Sequence, residues 1–103
     1  MRFVSSILAL LLTLVFVASV FAQTGELYER ALKYYATGKY SQAAETLKEY
    51  INERPDPGAY YLLGYSLYKL GRHDEARRYF KQVYLIDPRF DPSKIDFSVI
   101  KKR

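Results

Sequence analysis

Two hydrophobic patterns divide the chain. From Phe3 to Ala22 nearly every residue is apolar, and Arg2 is the only charge before Glu26. Beyond that point the apolar residues recur with a helical period. Tyr60, Leu63, Gly64, Leu67 and Leu70 follow i, i+3, i+4, i+7 spacing, which predicts an amphipathic helix. Asp56-Pro57 supplies its N-cap and first-position proline, and Gly71 is placed to end it in the left-handed conformation. A second helix follows, with Asp74 as its cap and Glu75 in its first turn against the positive dipole end. Its inner face carries Ala76, Phe80, Val83 and Tyr84, and Asp87-Pro88 stops it.

The same plan occurs earlier in the chain. Gly38-Lys39-Tyr40-Ser41-Gln42-Ala43 matches Gly71-Arg72-His73-Asp74-Glu75-Ala76 at an offset of 33 residues. That offset also relates Leu27 to Tyr60, Tyr34 to Leu67, Leu47 to Phe80, Ile51 to Tyr84 and Pro55 to Pro88. In this first unit Thr24 or Gly25 opens the first helix and Gly38 turns it. Ser41 caps the second helix and Arg54-Pro55 closes it. A period of this length marks a stacked repeat. Gly64, its counterpart Ala31, and Ala43 with Ala76 are small where paired helices must approach closely. A large residue in any of these places costs about 1–3 kcal/mol.

These positions resemble the tetratricopeptide repeat family. The second unit shows Tyr60, Leu63-Gly64, Leu67, Ala76, Phe80 and Pro88, with Tyr60 in place of the usual tryptophan and Leu67 in place of the usual tyrosine. The first shows Leu27, Ala31, Tyr34, Ala43, Leu47 and Pro55, with Arg30 where leucine is common. The resemblance implies an all-α fold: two stacked helix-turn-helix repeats forming a short right-handed solenoid, preceded by a signal-peptide helix. The boundaries that follow are a signal peptide over 1–22, repeats over 23–56 and 57–90, and a C-terminal capping tail over 91–103. The implied role is to bind a protein or peptide partner on the concave face, without catalysis.

In that family the first helix of each pair lines the concave face. Carried over by register, the exposed positions are Tyr28, Leu32 and Tyr35 in the first unit and Tyr61, Tyr65 and Tyr68 in the second, with Lys69 beside them. Each set forms one stripe at i, i+4, i+7 spacing. The core stripes are separate: Leu27, Ala31 and Tyr34, then Tyr60, Leu63, Gly64 and Leu67. Tyrosine suits a recognition surface, offering large rigid contact area and a hydroxyl that tolerates water. Two readings stand: a groove for a partner segment, or a groove covered by the chain's own tail or by a second copy. Some relatives clamp a C-terminal carboxylate with Lys, Arg and Asn. Here those places hold Tyr28, Glu29, Leu32, Tyr61, Leu62 and Tyr65, so that clamp is not expected.

The tail carries five apolar residues, Phe90, Ile95, Phe97, Val99 and Ile100, more than a solvated peptide needs. It is expected to lie on the second helix of the second unit as a partial cap. From Ser98 it is expected to begin a further helical turn.

Composition narrows the chemistry. The chain has 103 residues, a net charge of +5 and no cysteine. A domain of about 80 residues beyond the apolar run sits near the lower limit of what one core can stabilise. Without cysteine there is no disulfide framework, thiolate metal site or thiol nucleophile. His73 is the only histidine and reads as a turn residue. Glu45, Glu49 and Glu53 form a solvated helix face, and no glycine-rich phosphate loop follows a strand. No catalytic, metal or cofactor residue is therefore expected. Arg72, Arg77, Arg78 and Lys81 cluster around one helix; the export expected from the leader argues against nucleic acid and for an anionic membrane surface or an acidic envelope partner, and the first reading is a solvated helix face.

Export is read from the first 22 residues. A charged start, an apolar run and Val20-Phe21-Ala22 before Gln23 make the pattern of a secretory signal. The run also approaches the roughly 20 residues that span a bilayer, so an uncleaved anchor is the alternative. The expected location is periplasmic or secreted, or on the inner membrane with the domain facing the periplasm. The expected function is an envelope protein-interaction module. Its alternative is a self-associating structural subunit, tethered by residues 3–22 if the run is kept. Mass spectrometry of the protein from its native host should find Gln23 as the first residue. An intact Met1 in the membrane fraction would overturn cleavage.

Overall fold

The computed structural model describes residues 23–100, so the signal-peptide reading of residues 1–22 and the last three residues lie outside it. Four α-helices are described: α1 over residues 23–36, α2 over Tyr40–Glu53, α3 over Pro57–Lys69 and α4 over His73–Ile86. A 3-10 turn at Pro92–Lys94 follows, and the described residues contain no strand. The architecture is an all-α helical repeat with α3 at its centre, packed against both α2 and α4.

The two repeats turn by one device. Gly38 and Gly71 have φ of +75° and +82°, a region that costs a non-glycine residue about 1–2 kcal/mol. The Gly71 amide donates to the Tyr68 carbonyl at 3.0 Å and the Arg72 amide to Leu67 at 2.9 Å. In the first repeat Gly38 donates to Tyr35 at 3.1 Å and Lys39 to Tyr34 at 2.8 Å. Both are Schellman closures, which satisfy the last carbonyls of the first helix.

These closures relocate the expected caps. Lys39 and Arg72 donate back to the first helix while their carbonyls accept from Ala43 at 2.9 Å and Ala76 at 3.0 Å. The residue that ends one helix is therefore the N-cap of the next. Neither Ser41 nor Asp74 caps; both lie inside the first turn, where Asp74 pairs with Arg77. Asp56 does cap, its carboxylate accepting from the Gly58 amide at 3.1 Å beside Pro57 at the helix start. At the other end of the domain, α1 is already helical at Gln23, so neither Thr24 nor Gly25 opens it. One glycine costs a helix about 1 kcal/mol, less than the packing of the turns that follow.

The core gathers where the helices cross. Ala31, Leu32, Ala43, Leu47, Ala59, Leu63, Leu67 and Val83 are fully buried, and Leu62 and Ala76 nearly so. A Cβ placed on Gly64 would stand 2.9 Å from the Phe80 ring, closer than real contacts allow. The glycine is what lets α3 lie against α4. Leu70 and Tyr84, expected on inner faces, are 41% and 47% exposed. Lys48 Nζ on α2 meets Glu75 Oε1 on α4 at 2.9 Å, an ion pair between repeats that holds the Glu75 carboxyl below its ordinary range.

The register distinguishes the outer faces from the interface between the two repeats. On α3, Ala59, Leu62 and Ser66 form a buried stripe apart from the one facing α4. Their counterparts on α1 are Glu26, Glu29 and Lys33, with Glu29 and Lys33 paired at 3.7 Å. At the other end, Ala44 is 3% exposed, whereas its counterpart Arg77 on α4 is exposed. Both outer faces carry charge where the inner interface carries small and apolar residues, as terminal repeats require.

Gly64→Val should lower the melting temperature by about 10 °C or more, from about 2–3 kcal/mol of overpacking. Gly58→Ala should change stability by less than about 0.5 kcal/mol, because its Cβ would meet nothing closer than 3.5 Å. Thermal unfolding followed by circular dichroism separates the two outcomes. Equal effects would show that the close approach at Gly64 is not limiting.

Candidate functional site

The residues outside the core stripes converge as an aromatic track along α1 and α3. Tyr35 is its hub, with ring centroids 5.8 Å from Tyr40 and 6.0 Å from Tyr65. Tyr65 continues to Tyr61 at 6.3 Å and to Tyr68 at 6.1 Å. Tyr28 stands against Tyr50 of α2 at 4.8 Å. Lys69 Nζ lies 5.3 Å from the centre of the Tyr65 ring, within cation–π range, and Tyr68 meets His73 edge-on at 4.8 Å. His73, expected at the turn, is instead the first residue of α4 and forms one edge of the track.

Helical geometry sorts these side chains. On α3 the stripe of Tyr61, Tyr65 and Tyr68 is separate from the stripe facing α4 and from the buried Ala59, Leu62 and Ser66. Each side of the helix therefore has its own task. Tyr61 serves two, because its ring also reaches Phe80 of the core at 5.7 Å. Tyr28, Tyr35, Tyr61 and Tyr65 are half-buried, while Tyr68 is 50% exposed and Lys69 is exposed.

Leu32 departs from expectation. It is fully buried in the core cluster and offers nothing to a partner. Its counterpart Tyr65 has a hydroxyl to keep in water and Leu32 has none, and the tail lies on its neighbours. Phe97 stacks on neighbouring Tyr35 at 6.0 Å, and Val99 shares a cleft of about 480 Å³ with Tyr28, Tyr50 and Arg54.

Of the two courses expected for the tail, it takes the one over the tyrosine stripe rather than the one along the second helix of the second repeat. Only its start meets the second helix of the second repeat, where Phe90 lies 6.4 Å from Tyr84. Phe90 also reaches Tyr61 at 5.7 Å, Ile95 lies beside Gly58 at the start of α3, and Ile95 and Ile100 pack on the core cluster. The tail therefore crosses the concave face. Phe97 and Phe90 meet aromatic rings at Tyr35 and Tyr61, whereas the outer surface of α4 carries exposed arginines at 77 and 78. Residues 98–100 form a turn, closed by the Ile100 amide donating to Phe97 at 3.1 Å, where a helical start was expected. Phe90 and Phe97 are the site residues the pattern along the chain did not assign. Their spacing hints at an anchored tail, but not at which face holds it.

Among the described residues no three His, Cys, Asp or Glu side chains come together as metal ligands, and no helix is long and apolar enough to cross a membrane. A family model described as tetratricopeptide repeat matches residues 28–94. Comparison with curated proteins and with solved structures returned no match.

The track also perturbs its own hydroxyls. Burial pushes the Tyr28 phenol up to about 12, with further contributions from the charges of Asp56, Tyr50 and Asp96. Burial likewise pushes Tyr35 up to about 12, helped by Tyr65, Tyr61 and Tyr40. The folded chain therefore holds these protons more tightly than the unfolded chain, whose tyrosines ionise near pH 10. The stability they contribute is complete below pH about 10 and is lost as pH rises toward about 12. Titration of tyrosinate absorbance should show a late-ionising fraction coincident with alkaline unfolding. A single transition near pH 10 with the fold intact would mean these rings face water.

Proposed function

This chain belongs to the tetratricopeptide repeat family, and from that premise we propose that it is an exported adaptor that binds a segment of an envelope protein across its tyrosine face. Repeats of this family generally mediate protein–protein interaction. The observation that carries the finer reading is the surplus of aromatic rings on α1 and α3, and above all its uncovered end. Tyr65, Tyr68 and Lys69 continue the track past the Tyr35–Phe97 stack, and Tyr68 is half exposed. Rigid rings that pay little rotamer entropy on docking are efficient binding anchors. The apolar leader before Gln23 supports action outside the cytoplasm.

Self-association through the tyrosine face would have to displace the tail seated there, and stacking of repeats is disfavoured by the outer faces. Burying Arg77, Glu26 and Lys33 in a new repeat interface would desolvate charges without assured partners. The protein of this reading is a monomer that meets a different chain.

Tyr65→Ala combined with Tyr68→Ala is the suitable test, because these two rings lie farther from the core than Tyr61, which touches Phe80. The double variant should keep its helical circular dichroism and melt within a few degrees of the parent. It should also lose photo-crosslinking to the envelope partner that the parent captures. Light scattering of the parent should give a monomer. Retained crosslinking, or a dimer, would overturn the adaptor reading.

A further inference from the structure

The tail that crosses the concave face has the chemistry of a bound peptide rather than of a structural element. It enters from Asp87-Pro88, and its two rings are seven positions apart in the chain. Phe90 seats against Tyr61 and Phe97 stacks on Tyr35, so the pair reads one tyrosine from each repeat. Between them the chain needs no helix partner. The Ser93 amide and hydroxyl donate to the Asp91 carboxylate at 2.9 and 2.8 Å, and the Ser98 amide donates to Asp96 at 2.8 Å. The Ile95 amide donates to Pro92 at 3.2 Å. Among the described residues the tail's hydrogen bonds close within the segment from Asp87 onward, so apolar contact alone holds it on the face.

That contact is incomplete. Phe97 is 38% exposed and Val99 is 45% exposed, although both are apolar and both lie on the tyrosine face. A segment held without backbone pairing and with its anchors partly wet is exchangeable. The face beneath it is already shaped for such a segment.

We propose that the C-terminal tail is a resident ligand of the tyrosine face, in competition with a partner segment of the same chemistry: a turn-rich stretch with two aromatic residues seven positions apart. The inference rests on the tyrosine face being the binding surface and names both its specificity and its regulation. A partner must displace Phe90 and Phe97 to reach Tyr61 and Tyr35. Its apparent affinity is reduced by the fraction of molecules whose tail is seated. Because the tail is tethered, its local concentration on the face is high, and only a partner with additional contacts wins. The open rings at Tyr65 and Tyr68 are where those contacts are available.

The test uses the chain from Gln23 onward in three forms, with a fluorescent synthetic peptide of the sequence of residues 87–100 as probe. The unaltered chain should bind the peptide weakly. Phe90→Ala with Phe97→Ala, which empties the face, should bind it about tenfold more tightly or better. Gly58→Cys with Ile95→Cys should lock the tail in place. The Gly58 site is suitable because a Cβ there would lie 3.7 Å from Ile95 Cγ1, and the chain has no cysteine to interfere. The oxidised pair should not bind the peptide, and reduction should restore the affinity of the unaltered chain. Peptide affinity unmoved by emptying the face would overturn the proposal. So would an oxidised form that binds as well as its reduced form, and this arm decides alone if the alanine variant does not fold. A dimer held by exchanged tails would overturn it as well. Failure of all peptide binding, with crosslinking through Tyr65 and Tyr68 intact, would remove this inference and leave the adaptor reading standing.

Discussion

The closeness of α3 to α4 sets everything else in the molecule. A helix of thirteen residues surrounded on two sides must present three different faces within one circumference, and α3 does so because Gly64 takes no space against Phe80. With that contact made, Leu63 and Leu67 close the core against the second helix of the pair. Ala59, Leu62 and Ser66 close it against the first repeat. What remains is a single stripe of rings, Tyr61, Tyr65 and Tyr68, held in line by a backbone that has no freedom left to turn them inward. The tyrosine stripe is thus a consequence of the packing.

The turns enforce the same geometry from outside. The left-handed glycines at 38 and 71 make Lys39 and Arg72 the last partner of one helix and the first residue of the next. No slack exists between the helices of a pair, so the crossing point is fixed by the chain as well as by the small side chains. This economy suits a domain with so little core. Two repeats bury less than a longer stack. Charge at Glu26, Lys33 and Arg77 keeps the outer faces in water, and the tail adds apolar cover on the remaining side.

That cover connects stability with binding. Ile95 and Ile100 join the core cluster, while Phe90 and Phe97 sit on rings that carry the surface's recognition character. The tail is therefore both a cap and an occupant. Its hydrogen bonds are local, so its departure leaves no buried donor or acceptor unpaired, which is the usual large penalty for removing a packed segment. Exchange then turns on apolar contact, the term a partner with similar side chains can replace.

The period of 33 residues, the glycine turns, the Asp56-Pro57 start and the small residues at the helix crossings were all legible along the chain. Each depends on local backbone conformation or on spacing along one helix. Register also separated the tyrosine stripe from the core stripe, because both belong to the same helix. It misplaced Leu32, which is buried. Burial there depends on how the helices pack around α1, and periodicity along α1 carries no record of its neighbours. The N-caps at Ser41 and Asp74 failed for a nearer reason, since propensity reads one helix at a time and the Schellman closure joins two. The course of the tail was decided by tertiary structure alone. A stretch of turns has no period, so its apolar residues announce that they need a surface without saying which one. Only the folded repeats, by bringing Tyr35 and Tyr61 onto one face, created the surface that takes Phe97 and Phe90.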